Sequence, residues 1–292
     1  MSLLHGLDHS LAVTSDLDAA ATAYRQLGFT LTPRGRHHGW GTANYCIMFV
    51  TGYMELLGII DDQQDVNGLD TQLMARGPGV SGVAFATPDA RAVYQKLNTA
   101  GLADRHQNLS RLLEAPDGAD KGDDAETLEF SLAYAKPGVT PGLPSFFCQH
   151  RTRQKMRQPA WLAHPNGAVG LEGMTMIDPD PPALELAYRR LLMALDQPAD
   201  GIWPGKGRLD VPIGDTQTLR FLSPARAAKR YPGVSASLLN RPGPLVVTLS
   251  VSSLTDTQAF MAARGIESLP GMGDRFVVAP EQADGTIIEF TA

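Results

Sequence analysis

Gly6-Leu7-Asp8-His9-Ser10-Leu11-Ala12-Val13 is an extended, largely apolar run with a histidine set into it, and Gly52-Tyr53-Met54-Glu55-Leu56-Leu57 repeats the pattern with a glutamate. Successive side chains on a strand point to opposite faces, so Glu55 faces away from Met54 and Leu56. His9 and Glu55 each interrupt a buried face, at a cost of several kcal/mol unless a hydrogen-bond partner or a metal compensates. Between them Leu17, Ala20, Ala21, Tyr24 and Leu27 recur at helical spacing. Asp16 is placed to cap that helix, Asp18 puts negative charge in its first turn, and Gly28 ends it. Strands are expected over residues 30–36, 45–50 and 53–59, the last two joined by a tight turn at Thr51-Gly52. The order is strand, helix, strand, strand, strand: one βαβββ unit.

The order recurs from Gly79. Residues 80–86 replace the first strand, residues 90–100 the helix, and Gly101-Leu102 stands where the first unit has Gly28-Phe29. Strands are expected near residues 111–114, 127–134 and 145–150, with a polar, mobile loop from Asp117 to Asp124. Residues 151–166, rich in charge and proline, read as an interdomain connection. A third unit starts at Ala168, with a helix over residues 181–195 and short strands over 208–213 and 218–222. A fourth starts at Pro244, with a strand over 245–251, a helix over 255–264 and strands over 275–279 and 286–290. The expected fold is α+β: four tandem βαβββ modules in two pairs, residues 1–155 and 165–292, whose curved mixed sheets surround a cleft.

A chain of 292 residues with 43% hydrophobic and 19% charged residues is ordinary for a globular protein. A net charge of -6 and the lack of any Lys/Arg block argue against a nucleic-acid partner. No apolar run is long enough to cross a bilayer and residues 1–12 lack a leader pattern, so the expectation is a cytoplasmic protein with no membrane partner. Cys46 and Cys148 sit in apolar, strand-like contexts that suit free thiols. The glycine clusters lack the strand-before, helix-after context of a phosphate loop, and there is no Gly-x-Ser-x-Gly elbow, so neither a nucleotide cofactor nor acyl transfer is indicated.

His37, His38, Trp40 and Asn44 lie in a glycine-rich stretch that combines an aromatic ring with polar donors, a pattern suited to lining a pocket. His164-Pro165-Asn166-Gly167 reads as a turn whose histidine folds back over the cleft.

Gly6-Leu7-Asp8-His9, the helix ending Ala23-Tyr24-Arg25-Gln26-Leu27-Gly28-Phe29, residues 35–44 and Gly52-Tyr53-Met54-Glu55-Leu56 together resemble the vicinal oxygen chelate superfamily, in particular its bacterial glyoxalase-like branch. The resemblance is specific over residues 1–60 and extends to about Gly170 through Phe146-Phe147-Cys148-Gln149-His150 and residues 164–168. It implies a divalent metal (Zn, Ni, Fe or Mn) bound by residues on the first and last strands of two paired units. By position the ligands would be His9 and Glu55 from the first unit and Gln149 or His150 from the second, where Gly82 leaves the remaining position empty. In the third and fourth units the first-strand positions fall near Gly173 and Val246, so Glu289 alone survives and no second metal site is expected.

The function implied is a metal-dependent lyase or isomerase acting on a small substrate with adjacent oxygens. The metal would serve as Lewis acid, Glu55 would move a proton, His150 would be ligand or proton carrier, and His37, His38, Trp40, Asn44 and His164 would shape the pocket. The alternative is a metal-free protein that sequesters a small molecule on the same scaffold, as resistance proteins of the superfamily do. With both pairs in one chain, a monomer or a homodimer would serve.

Overall fold

The computed structural model describes residues 2–114 and 126–292; the loop expected at Asp117 to Asp124 lies outside the described residues. The opening pattern becomes strand β1 (Gly6–Thr14), helix α1 (Leu17–Gln26) and strands β2 (Gly35–His37), β3 (Thr42–Met48) and β4 (Tyr53–Ile59). Asp16 caps α1 as expected, its side chain accepting from the Ala19 amide, and Leu17, Ala20, Ala21 and Tyr24 form the buried stripe. Helix α2 (Leu69–Arg76) follows. It was not expected from the sequence: Gly68 precedes it without any side-chain cap and only Leu69 is buried.

Next come β5 (Gly79–Ala86), α3 (Ala90–Thr99), β6 (Ala103–Leu113), β7 (Glu126–Ala135) and β8 (Ser145–His150), then two single-turn helices, α4 (Arg153–Met156) and α5 (Pro159–Leu162). The remainder runs β9 (Ala168–Ile177), a 3-10 turn at Pro181–Leu184, α6 (Glu185–Ala194), β10 (Trp203–Gly205), β11 (Arg208–Ile213), β12 (Gln217–Leu222), α7 (Pro224–Arg230), α8 (Ala236–Leu239), β13 (Gly243–Val251), α9 (Leu254–Ala263), β14 (Ser268–Pro270), β15 (Phe276–Val278) and β16 (Ile287–Thr291).

Two mixed sheets result. The first closes on itself in the order β1-β4-β3-β2-β6-β7-β8-β5, and the second is an eight-stranded sheet ordered β10-β11-β12-β9-β13-β16-β15-β14. Closure replaces the expected open cleft in the first sheet. Strand β6 begins at Ala103, well before the expected residue 111, and its last residues pair with β2, with Gly35 opposite Leu113 and His37 opposite Arg111. That pairing removes the two edges an open sheet would leave.

The sheets lie back to back over a continuous core that includes Leu7, Tyr24, Phe29, Phe85, Leu171, Tyr188, Phe221 and Phe290. Gln217 ties them together, accepting from the Leu7 amide at 2.6 Å and donating to the Leu171 carbonyl at 2.7 Å. A second cluster, with Cys46, Met48, Tyr53, Leu128, Phe130 and Cys148, sits inside the closed sheet. A third packs Ala227, Tyr231, Val234 and Leu239, from the α7–α8 segment, against Ile177, Leu222, Val246, Val277 and Ile287 of the second sheet. The inner face of the second sheet is therefore plugged by its own chain, whereas the barrel keeps space for a ligand.

Candidate functional site

The barrel encloses a cavity of about 300 Å³ lined by alternate residues of its strands: His9, Leu11 and Val13 from β1, Tyr53, Glu55 and Leu57 from β4, Leu109 and Arg111 from β6, Phe130, Leu132 and Tyr134 from β7, and Phe146 and Cys148 from β8. Trp40 and His37 join them from the glycine-rich stretch. This volume is at the small end for ligand pockets.

His9 is the hub. Its Nε2 lies 3.2 Å from Glu55 Oε2 and its Nδ1 lies 2.7 Å from Asp8 Oδ2. Tyr53 stacks on the ring with centroids 4.4 Å apart. Strand alternation alone would turn Asp8 away from His9. Pairing of β1 with β5 slips between Leu7 and His9, leaving Asp8 with no opposite residue, and a bulge of this kind re-aims a side chain. Asp8 Oδ2 also meets His150 Nε2 at 2.8 Å. The result is a buried chain Glu55–His9–Asp8–His150.

Charges in this chain support one another. Burial disfavours the imidazolium, yet the Asp8 and Glu55 carboxylates outweigh it and raise His9 to about 9. Burial likewise opposes ionisation of Glu55, but His9, then His37 and Arg111, hold it down to about 2. Asp8 follows the same balance, with His150 and His9 overcoming burial to keep its carboxyl well below the usual range. Asn44 Nδ2 donates to Glu55 Oε1 and so fixes the second carboxylate oxygen. His37, whose Nδ1 is 2.9 Å from Thr42 Oγ1, is lowered by burial to about 4 and is neutral at pH 7.

His9, Glu55, His37 and Trp40 thus meet at one cavity, and Asn44 is buried behind Glu55. Three other expected residues are placed elsewhere. His38 is exposed and outside the cavity lining. Gln149 points away from the barrel interior, accepting from the Ala90 amide at 3.2 Å and donating to the Pro88 carbonyl at 2.7 Å at the start of α3. Its expected role rested on the wrong register. Val83 pairs with Ser145 in the β5–β8 ladder, so the residue matching Glu55 in the second unit is Phe146, three positions earlier. His164 pins the backbone instead of covering the site: its Nδ1 accepts from the Thr30 amide at 3.0 Å and its Nε2 donates to the Met48 carbonyl at 2.8 Å. His150 reaches Glu55 only through Asp8 and His9.

Asp8, Tyr53, Arg111, Phe146 and Cys148 were not singled out from the sequence. Arg111 carried the same signal as His9, a charge on the face that Leu109 and Leu113 would otherwise make apolar.

His9 and Glu55 supply two donors spaced as neighbouring ligands of one divalent cation would be. Two ligands at about 2.1 Å from one ion, roughly at right angles, stand about 3 Å apart, and His9 Nε2 and Glu55 Oε2 are separated by 3.2 Å. Asp8 on Nδ1 is the carboxylate that typically orients a metal-bound imidazole. Asp8, Cys148 and His150 also place ligand atoms within 4.8 Å of one another. The second unit's matching positions, Gly82 and Phe146, offer no donor.

In the second sheet Glu289 occupies the position of Glu55, since Thr248 pairs with Glu289 as Leu11 pairs with Glu55. Its carboxylate is engaged by Arg230 Nη2 at 2.8 Å and by Thr248 Oγ1 at 3.0 Å. The guanidinium from α7 takes the space a cation would need.

Known structures share this architecture. A hypothetical protein from Staphylococcus aureus aligns at 15% identity and a TM-score of 0.65, covering 98% of each chain. A mutant 4-hydroxymandelate synthase from Streptomyces coelicolor aligns at 12% identity and a TM-score of 0.59, covering 99% of this chain and 92% of that one. The Mn(II)-bound glyoxalase from Novosphingobium aromaticivorans aligns at 11% identity and a TM-score of 0.52, covering 99% and 82%. No curated protein sequence matches the chain. Among the described residues, no helix is long and apolar enough to cross a membrane. The family model for the glyoxalase-like domain matches residues 7–192, from the second residue of β1 into α6, and so spans all but the first residue of the barrel strands. The chain belongs to the glyoxalase-like domain family.

Proposed function

We propose that the barrel is the active site of a metal-dependent enzyme of the lyase or isomerase type, acting on a small substrate that presents adjacent oxygens. The reading takes the chain as four βαβββ modules in two pairs, residues 1–155 and 165–292, with chemistry confined to the first pair. The observation that carries it is the pairing of His9 Nε2 with Glu55 Oε2 at 3.2 Å on the wall of the barrel cavity, with Asp8 behind the imidazole. The Mn(II)-bound glyoxalase with the same fold supports a metal at such a site.

His9 and Glu55 would hold the cation, which when bound supplies Lewis-acid polarisation of the substrate's oxygens. Glu55, ionised at neutral pH, is the base that takes and returns a proton. Asn44 holds Oε1 and thereby fixes the plane of the carboxylate. Asp8 holds His9 in one tautomer and orientation. Tyr53, Phe130 and Phe146 give the cavity an apolar wall beside these groups.

Metal-free sequestration is the second reading. It is favoured by Gly82 and Phe146, which leave the cation only the first unit's donors. The two separate in a turnover screen. Protein supplied with Zn, Ni, Fe(II) or Mn(II) is offered 2-oxoaldehydes and vicinal diols. The enzyme reading expects metal-stimulated turnover that falls about 100-fold or more in Glu55→Gln. Ligand binding without turnover under every metal would favour sequestration.

A further inference from the structure

Arg111 is 2% exposed and lines the cavity, yet its guanidinium meets no oxygen acceptor among the described residues. Nη1 lies 3.3 Å from Cys46 Sγ and Nη2 lies 3.5 Å from Met156 Sδ, both weak acceptors, and Nε has no partner. The nearest carboxylate oxygen recorded for it is Glu55 Oε1 at 3.9 Å, beyond hydrogen-bond distance. Glu55 is also committed elsewhere, Oε1 to Asn44 and Oε2 to His9. Three other arginines of this chain have carboxylate partners, Arg34 with Glu114 at 2.7 Å, Arg189 with Glu185 at 2.7 Å and Arg230 with Glu289 at 2.8 Å, while Arg241 and Arg275 share an unpaired Nε but lie outside the cavity lining. A buried cation with such poor partners is heavily penalised unless a ligand completes it.

The surroundings define what that ligand would be. The Phe130 ring lies 5.4 Å from Arg111 Cζ, and Tyr53, Tyr134 and Phe146 continue an aromatic wall along the cavity. A planar fork of N–H donors matches the two oxygens of a carboxylate, and the wall matches a flat apolar body.

We propose that Arg111 is the anion anchor of the cavity and that the ligand is a small carboxylic acid with a planar apolar body, its carboxylate distinct from the oxygens presented to His9 and Glu55. Arg111 thereby becomes the specificity-determining residue of the site. The inference rests on the reading of the barrel as a small-molecule site, and it deepens that reading by naming the ligand's charge.

The test is calorimetric titration of the full chain, treated with chelator, using benzoate, phenylacetate and 3-phenylpropanoate against their uncharged amides. At least one acid should bind about tenfold or more tightly than its amide, as a charge-assisted fork predicts. Arg111→Met should abolish that preference while leaving amide binding intact, and Arg111→Lys should retain part of it. Equal binding of acids and amides by the wild-type chain overturns the proposal even if Arg111→Met fails to fold. So does failure of the whole series to bind, or a preference that survives Arg111→Met. Repeating the titration with saturating Mn(II) separates the two readings. A preference that appears only with metal and ignores Arg111→Met assigns the anion to the cation, overturning this inference and leaving the His9–Glu55 centre standing. An Arg111-dependent preference in a chain that takes up no metal supports this inference and removes that centre.

Discussion

His9 carries a proton because two carboxylates flank it, and the neighbouring His37 sheds one because burial leaves it no comparable partner. The two histidines therefore tilt stability in opposite directions with pH. His9, raised from 6.5 to about 9 in the folded chain, contributes stability that is fully present below pH 6.5 and lost as pH rises towards 9. His37, lowered from 6.5 to about 4, binds its proton more readily unfolded, so stability falls as pH drops from 6.5 towards 4. Thermal unfolding of chelator-treated protein should be most resistant near pH 6.5, with His37→Gln flattening the acid limb and His9→Gln the alkaline limb. A curve whose limbs do not respond to these substitutions would refute the assignment. Asp8→Asn should leave the fold intact and weaken metal retention about 10- to 100-fold, as loss of an orienting carboxylate does, read by competition with a chelator. At this scale the sequence exposed His9 and Glu55, polar groups on apolar strand faces. Asp8 was hidden because only a slipped ladder turns it inward, and Arg111 was passed over although its strand pattern was the same.

Ladder register decides which side chains on paired strands can share a cation. His9 pairs with Tyr53, two positions before Glu55, and the β5–β8 ladder brings Gly82 and Phe146 to the matching places. A Cβ on Gly82 would stand 2.7 Å from the Pro144 carbonyl oxygen, so a ligand cannot be restored there without moving backbone. Phe146 is different: it lines the cavity and its ring meets His9 edge-on at 5.7 Å. Phe146→Glu should tighten divalent-metal binding by about tenfold or more by adding a carboxylate ligand, while lowering the unfolding temperature of the metal-free protein through a further buried negative charge. Titration calorimetry and thermal melts check the two halves of that statement. The order of strands and the cap of α1 were legible, because alternation and Asp16 are local signals. Register was not: Gln149 lies three residues from Phe146, an offset that only the pairing of β5 with β8 reveals. Helices α7 and α8 also escaped notice, and they decide that the second sheet has no open cavity.

Two sheets of related order share a core yet divide their roles, one enclosing a cavity and the other filled by Arg230 and Tyr231 against Glu289. Arg230→Met leaves the Glu289 carboxylate buried without its cation and should cost about 3–5 kcal/mol, whereas Arg230→Met combined with Glu289→Gln should recover most of it. Chemical denaturation measures both. Ligand binding in the barrel should be unchanged in the double variant, and its loss would show that the second sheet holds the first in shape. The alternation of strands and helices was legible across the whole chain, and a glycine at positive φ follows the helices α1, α3 and α9 at Gly28, Gly101 and Gly265. Closure of the first sheet was not, since it depends on the pairing of β2 with the end of β6. The measurement that bears most directly on the function is titration of Mn(II) and Zn(II) into chelator-treated protein beside Glu55→Gln and His9→Ala. Binding close to one ion per chain, lost in both variants, is the predicted result. A wild-type chain that takes up no ion, or that binds one undiminished in both variants, would contradict a metal centre at His9 and Glu55.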